Sequence, residues 1–240
     1  MIFESALGIV AILAGAVASL AGFGIGSLLT PLLEVKTGIG VAVAGVSIAH
    51  FFGTALRCWL LRKHIDRTVL ISFGLTSAAG GLAGAFLHSI LQSTLLSIVF
   101  GILLILAGIS GLTGLFEKMR LKGPVVWLAG LLSGLFGGLV GNQGGIRSAA
   151  LLSFDLSRDQ FVATATGIAL MVDVARVPVY FTFQSADILS IWQYVMIATV
   201  GVVIGTLVGK KVLEKLPQNV FRKVVSALIL AVGIYILVQR

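Results

Sequence analysis

From Thr68 to Phe116 the chain runs 49 residues without an aspartate, glutamate, lysine or arginine. About 18 apolar residues without charge already mark a membrane-spanning helix. Composition extends the point to the whole chain: 58% of its 240 residues are hydrophobic and 11% charged, with a mean hydropathy of +1.11. Soluble domains run about 45–50% apolar and about 25% charged. An ordinary cytosolic globule, a disordered chain and a secreted disulfide scaffold are therefore excluded, and the single cysteine, Cys58, leaves no intramolecular bridge to form. The sequence reads as an all-α polytopic membrane protein. Its start lacks a basic segment ahead of the apolar run, so it does not read as a cleaved signal peptide.

Charged and polar breaks divide the chain into apolar blocks at 5–33, 38–61, 68–116, 123–154, 160–183, 188–209 and about 220–238. His88-Ser89 and Gln92-Ser93 split the long third block into two spans. At an offset of 119 residues the halves match Gly15 with Gly134, Gly22 with Gly141, Gly26 with Gly145 and Arg57 with Arg176. Allowing two inserted residues, Asp66 matches Asp187, Gly80 matches Gly201 and Gly84 matches Gly205. Ordered glycines and rare charges carry more weight here than matches among apolar residues. The expectation is a duplicated single membrane domain: a first repeat over 1–116, a cytoplasmic linker over 117–123 and a second repeat over 124–240. Internal repeats are a frequent transporter trait.

The first block of each half is too long for one comfortable crossing. Residues 5–33 would make a helix of about 43 Å against a hydrocarbon core of about 30 Å. Its middle reads Ala21-Gly22-Phe23-Gly24-Ile25-Gly26, followed by Pro31, and the second copy reads Gly141-Asn142-Gln143-Gly144-Gly145. Each glycine costs a helix about 1 kcal/mol. Both segments read as a break between two half-helices, forming a re-entrant hairpin.

Loop charge tests that reading. If every block crosses once, lysine and arginine divide evenly, against the positive-inside bias. If the two glycine-broken blocks are hairpins, the halves are inverted and each adds three full crossings. One face then gathers Arg62, Lys63, Arg67, Lys118, Arg120, Lys122, Arg158, Lys210, Lys211, Lys215, Arg222 and Lys223, while the other keeps Lys36 and Arg240. The basic face is cytoplasmic, so both termini are expected outside a bacterial inner membrane. Trp127 at the inner interface, and Tyr180, Trp192 and Tyr235 near outer ends, suit that topology. The net charge of +8 thus points to an anionic lipid leaflet, not to nucleic acid.

Non-helical backbone at membrane depth survives only where protein or a water-filled cavity satisfies it. A half-helix starting at such a break aims its positive dipole end and free N–H groups inward, which suits an anion. The expected starts are Gly24-Ile25-Gly26 and Gln143-Gly144-Gly145, with Asn142 and Gln143 adding amide donors. Arg147 follows Gln143 by four residues and is best placed to pair with a bound anion. Arg57 and Arg176, also inside apolar blocks, are candidates to guide anions along the pathway. Against this stand packing roles for the glycines, snorkelling for Arg57, and an ion pair with Asp173, three residues back, for Arg176. His50 and Asp173 are the candidate proton carriers. His64 and His88 fall at expected interfaces. No metal-ligand cluster, nucleotide loop or nucleophile–base pair stands out, so neither cofactor nor enzymatic activity is expected.

The run Gly22-Phe23-Gly24-Ile25-Gly26-Ser27-Leu28-Leu29-Thr30-Pro31-Leu32-Leu33 resembles the first signature of the TauE/SafE family of sulfite and organosulfur-anion exporters. Length, duplication and block pattern are similar over the whole chain. The second copy departs from the family pattern, with Ala150 where proline is usual and with Asn142, Gln143 and Arg147 as polar additions. The resemblance implies a secondary carrier for a small sulfur oxyanion such as sulfite or an organosulfonate. Its expected partners are that inorganic or organosulfur anion and the bilayer, with a homodimer left open. A passive anion channel and a non-transporting membrane assembly partner are the alternatives.

Overall fold

The computed structural model describes residues 2–115, 121, 123–213 and 218–238. Every regular element among them is helical. In order these are α1 (Ile2–Ala21), α2 (Ile25–Thr37), α3 (Ile39–Leu61), a 3-10 turn (Arg62–His64), α4 (Arg67–Ile90), α5 (Ser93–Thr113), α6 (Pro124–Val140), α7 (Gly144–Leu151), α8 (Arg158–Ser190), α9 (Trp192–Leu213) and α10 (Gln218–Val238). Most of the linker expected over 117–123 lies outside the described residues. So do Lys118, Arg120, Lys122, Lys215 and Arg240, and the side chains of Lys210, Lys211 and Arg222.

Among the described residues, six stretches are long and apolar enough to cross a membrane: Ile2–Ala21, Ile39–His64, Arg67–Ile90, Ser93–Thr113, Arg158–Ser190 and Trp192–Gly209. By contrast, α2 has 13 residues and α7 has 8, lengths of about 20 and 12 Å that fall short of a bilayer core. Large apolar side chains such as Ile9, Leu75, Ile102, Leu128 and Leu207 are exposed on the outer surface. A soluble monomer rarely shows that much open apolar surface, and a lipid-facing helix requires it.

Local chemistry sets the helix starts. Asp66 caps α4 by accepting from the Val69 N–H at 2.9 Å. A reciprocal capping box opens α8: Ser157 Oγ accepts from Gln160 N–H, and Gln160 Oε1 accepts from Ser157 N–H at 3.0 Å. Such a cap is worth about 1 kcal/mol. One expected boundary is present only as a kink. The sequence separates blocks at Gln184–Asp187, whereas α8 runs on to Ser190 with only a kink at Gln184 (φ −135°, ψ 25°). Asp187, aligned with the capping Asp66, therefore sits inside a helix.

Helices from the two halves interleave. The first helix packs on α9, and α6 packs on α4; α3 packs on both α8 and α9, α4 on α8, and α5 on α10. Within each half α1 packs on α2, and α6 on α7. Small residues allow the closest approaches: a Cβ at Gly84 would overlap the Leu135 carbonyl oxygen, and one at Gly205 the Ile12 carbonyl oxygen. Without a hydrophobic drive between lipid-bathed helices, such backbone proximity is the main source of association.

Candidate functional site

Both expected breaks are present. The first helix ends at Ala21, its last turn closed by Gly22 N–H donating to the Ala18 carbonyl at 2.9 Å, and α2 opens at Ile25. In the second half α6 ends at Val140, Gly141 N–H donates to the Gly137 carbonyl at 3.1 Å, and α7 opens at Gly144. Glycine is needed at Gly24 (φ 124°) and Gly141 (φ 74°), where a side chain would be strained.

The two breaks touch. A Cβ at Gly26 would overlap the Gly141 carbonyl oxygen, and one at Gly144 would come within 2.7 Å of the Phe23 side chain. Arg147 reaches from α7 across to the first break, where its Nη2 donates to the Gly22 carbonyl at 3.2 Å. Its remaining donors, Nε and Nη1, have no hydrogen-bond partner among the described residues, although the side chain is 1% exposed. The same holds for Nη1 and Nη2 of Arg57, Nδ2 of Asn142, Nε2 and Oε1 of Gln143, and Oγ1 of Thr30. Each buried polar group left unmade costs about 1–3 kcal/mol, more when charged. Such groups gather around the two breaks, and each calls for a water, an ion or a ligand to satisfy it.

The expected residues divide into three settings. Gly24, Ile25 and Gly26 form the start of α2, with Ile25 fully buried. Asn142, Gln143 and Gly145 line a cavity of about 340 Å³, walled by Phe136 and by Val99, Leu103 and other residues of α5. Arg147 is not among the residues that line that cavity; it bonds the first break instead. His50, Asp173 and Arg176 form a third, wholly buried group: Asp173 Oδ2 lies 2.7 Å from His50 Nδ1, and Asp173 Oδ1 accepts from Arg176 Nε at 3.0 Å and Nη2 at 2.9 Å. Thr54 Oγ1 lies 3.2 Å from the same His50 nitrogen. Arg57, 2% exposed, donates from Nε to Thr166 Oγ1 at 3.0 Å and does not snorkel.

Three side chains tie off the broken end of α6. Arg176 Nη1 donates to the Gly137 carbonyl, Tyr180 Oη to the Gly138 carbonyl, and His88 Nδ1 bonds the Leu139 carbonyl at 2.7 Å. The Gly138 and Leu139 carbonyls belong to the last turn, where intrahelical partners run out. The Gly137 carbonyl is shared with Gly141 N–H, and a cation there complements the negative dipole end. Two expectations are corrected. Tyr180, expected as an aromatic facing the lipid headgroups, is 1% exposed, and His88, expected as an unremarkable interfacial residue, is 2% exposed; both are packed inside the protein. Tyr180 falls four residues after Arg176, on one helix face, which is the signal that sequence reading passed over. Thr30 and Thr166 were also missed, as ordinary hydroxyls in apolar runs.

Comparison with known proteins adds one result. Residues 7–236 match the model of a protein family described as Sulfite exporter TauE/SafE. Neither a curated protein nor a solved structure matches the chain.

Proposed function

The chain belongs to the sulfite exporter TauE/SafE family, a family of membrane transporters, and from that premise we propose that it exports a small sulfur oxyanion, sulfite or an organosulfonate, by alternating access. The observation that carries this reading is the contact between two helix breaks, with Arg147 bonded to one of them and retaining two unpartnered donors. In the proposed cycle the N-termini of α2 and α7 offer backbone N–H groups and positive dipole ends to the anion. Arg147 supplies the counter-charge, while Asn142 and Gln143 orient the anion from the side facing α5. Arg57 stands in the anion pathway. Arg176, committed to Asp173 and the Gly137 carbonyl, fixes the shape of the second break on that pathway.

Alternating access needs two bodies that rock, and we assign these to inverted repeats over 1–116 and 124–240. Packing supports the assignment, because exchanging the halves preserves its most extensive interhelical pairs, although α2 packs more closely on α3 than α7 does on α8. The pair α1–α9 becomes α6–α4, the pair α3–α9 becomes α8–α4, and α3–α8 and α5–α10 map onto themselves. Rocking about such an axis exposes one central site to either side in turn. With both termini external, a negative-inside potential favours anion efflux by about 2.3 kcal/mol per charge per 100 mV. Proton coupling is favoured by one observation, the direct pairing of His50 with Asp173.

Flux in proteoliposomes tests the proposal against its rivals. A carrier gives sulfite flux that saturates and is accelerated by sulfite on the opposite side. A channel gives linear flux without that acceleration, and an assembly partner gives none.

A further inference from the structure

Among the described residues, the buried side chains with permanent charge are Arg57, Arg147, Arg176 and Asp173. The single carboxylate is already taken, with Arg176 on one oxygen and His50 on the other. No carboxylate within the described residues pairs with Arg57 or Arg147. The repeat makes this asymmetry plain. Arg176 has Asp173 three residues before it, whereas Arg57, at the matching place, has Thr54. One arginine of the pair carries its own counter-charge and the other lacks it.

A chain of contacts links Arg57 to Arg147. Arg147 bonds the Gly22 carbonyl, a Cβ at Gly22 would lie 3.5 Å from Ala165 Cβ, and the next residue, Thr166, accepts the Arg57 bond. The two guanidinium groups lie within reach of each other's charge and of Asp173, whose single negative charge is also shared with Arg176. Three guanidinium groups against one carboxylate thus leave a surplus of two positive charges. Holding two like charges together, each dehydrated, costs several kcal/mol per ion unless something opposes them. A singly charged anion would leave one positive charge of that surplus unopposed. A guanidinium fork is shaped to grip two oxygens of one oxyanion.

We infer that Arg57 and Arg147 form a two-cation receptor for a doubly charged oxyanion, and that the site selects against a singly charged anion of the same size. This rests on the anion-transport reading above and narrows its substrate, favouring sulfite over a singly charged organosulfonate. Sulfate and methanesulfonate are suitable probes, because they match in size and differ by one charge, a methyl group replacing an oxygen. Calorimetry at one fixed pH on the purified full chain is expected to give sulfate an affinity at least about tenfold above methanesulfonate. Arg57→Gln is expected to abolish that preference chiefly by weakening sulfate, and Arg57→Lys to retain part of it. Equal affinities in the unmodified protein, or a preference that survives Arg57→Gln, would overturn the inference while leaving anion transport standing. If Arg57→Gln does not fold, the ratio in the unmodified protein decides alone. Binding of neither probe, and none of sulfite, would overturn the transport reading and the inference together.

Discussion

Asp173 Oδ2 lies 2.7 Å from His50 Nδ1, so a carboxylate on α8 and an imidazole on α3 join the two halves of the chain in a buried pair. Arg176 holds the other carboxylate oxygen, and its remaining donor secures the end of α6. The helix break, the ion pair and the interface between halves are thus one connected structure.

Removing the carboxylate should loosen all three. Asp173→Asn leaves the Arg176 charge buried without its partner, and breaking such a pair costs about 3–5 kcal/mol. Thermal unfolding in detergent should show a large loss of stability. His50→Gln keeps a hydrogen-bonding group but not a titrating one, so it should cost much less. If the pair carries the coupling proton, that variant should also flatten the pH dependence of sulfite flux; an unchanged pH profile would confine the pair to a structural role.

Arg57 and Arg176, which align at the 119-residue offset, should respond in opposite ways. Arg176→Gln strands Asp173 and should destabilise the protein by about 3–5 kcal/mol. Arg57→Gln removes a buried charge that has no carboxylate partner, so without anion it should be neutral or stabilising. Unfolding curves of both variants without sulfite check the sign. Equal losses would mean that Arg57 has a structural partner of its own.

These residues also mark what the amino-acid sequence could and could not convey. The breaks were legible at Gly24–Ile25 and Gln143–Gly144, because three glycines in five positions penalise a helix wherever they stand. The partnership of Asp173 with Arg176 was legible as a three-residue helical spacing. The His50 bond was not, since it joins residues 123 apart and depends on how the helices pack. Asn142 and Gln143 were expected to share one pocket with Arg147. Gln143, however, precedes α7 with non-helical angles (φ −121°, ψ −10°), so helical spacing does not govern where its side chain points. The burial of Tyr180 and His88 follows from the unpaired carbonyls of α6, which become visible only when the broken end has neighbours.

Interhelical packing predicts a third result. Gly84→Val and Gly205→Val each place side-chain atoms on an opposing backbone carbonyl. Overpacking of this kind typically costs about 1–3 kcal/mol, and backbone contact leaves little room to relax. Both variants should lower the unfolding temperature, whereas Gly38→Val, with open space around it, should act only through its positive φ.

Topology gives a fourth. In the inverted-hairpin arrangement Lys36 and Arg158 face opposite sides of the membrane. Cysteines placed at the two positions, with Cys58 replaced, should label from opposite sides with a membrane-impermeant reagent. Labelling from one side would contradict the inverted repeats.

The most direct measurement is calorimetric titration of sulfite into the purified protein and into Arg147→Gln. The account predicts saturable binding to one site in the unmodified protein, weakened at least about tenfold in a variant that still unfolds cooperatively. Absence of saturable binding, or equal binding by a folded Arg147→Gln, would contradict an anion site where the two helix breaks meet.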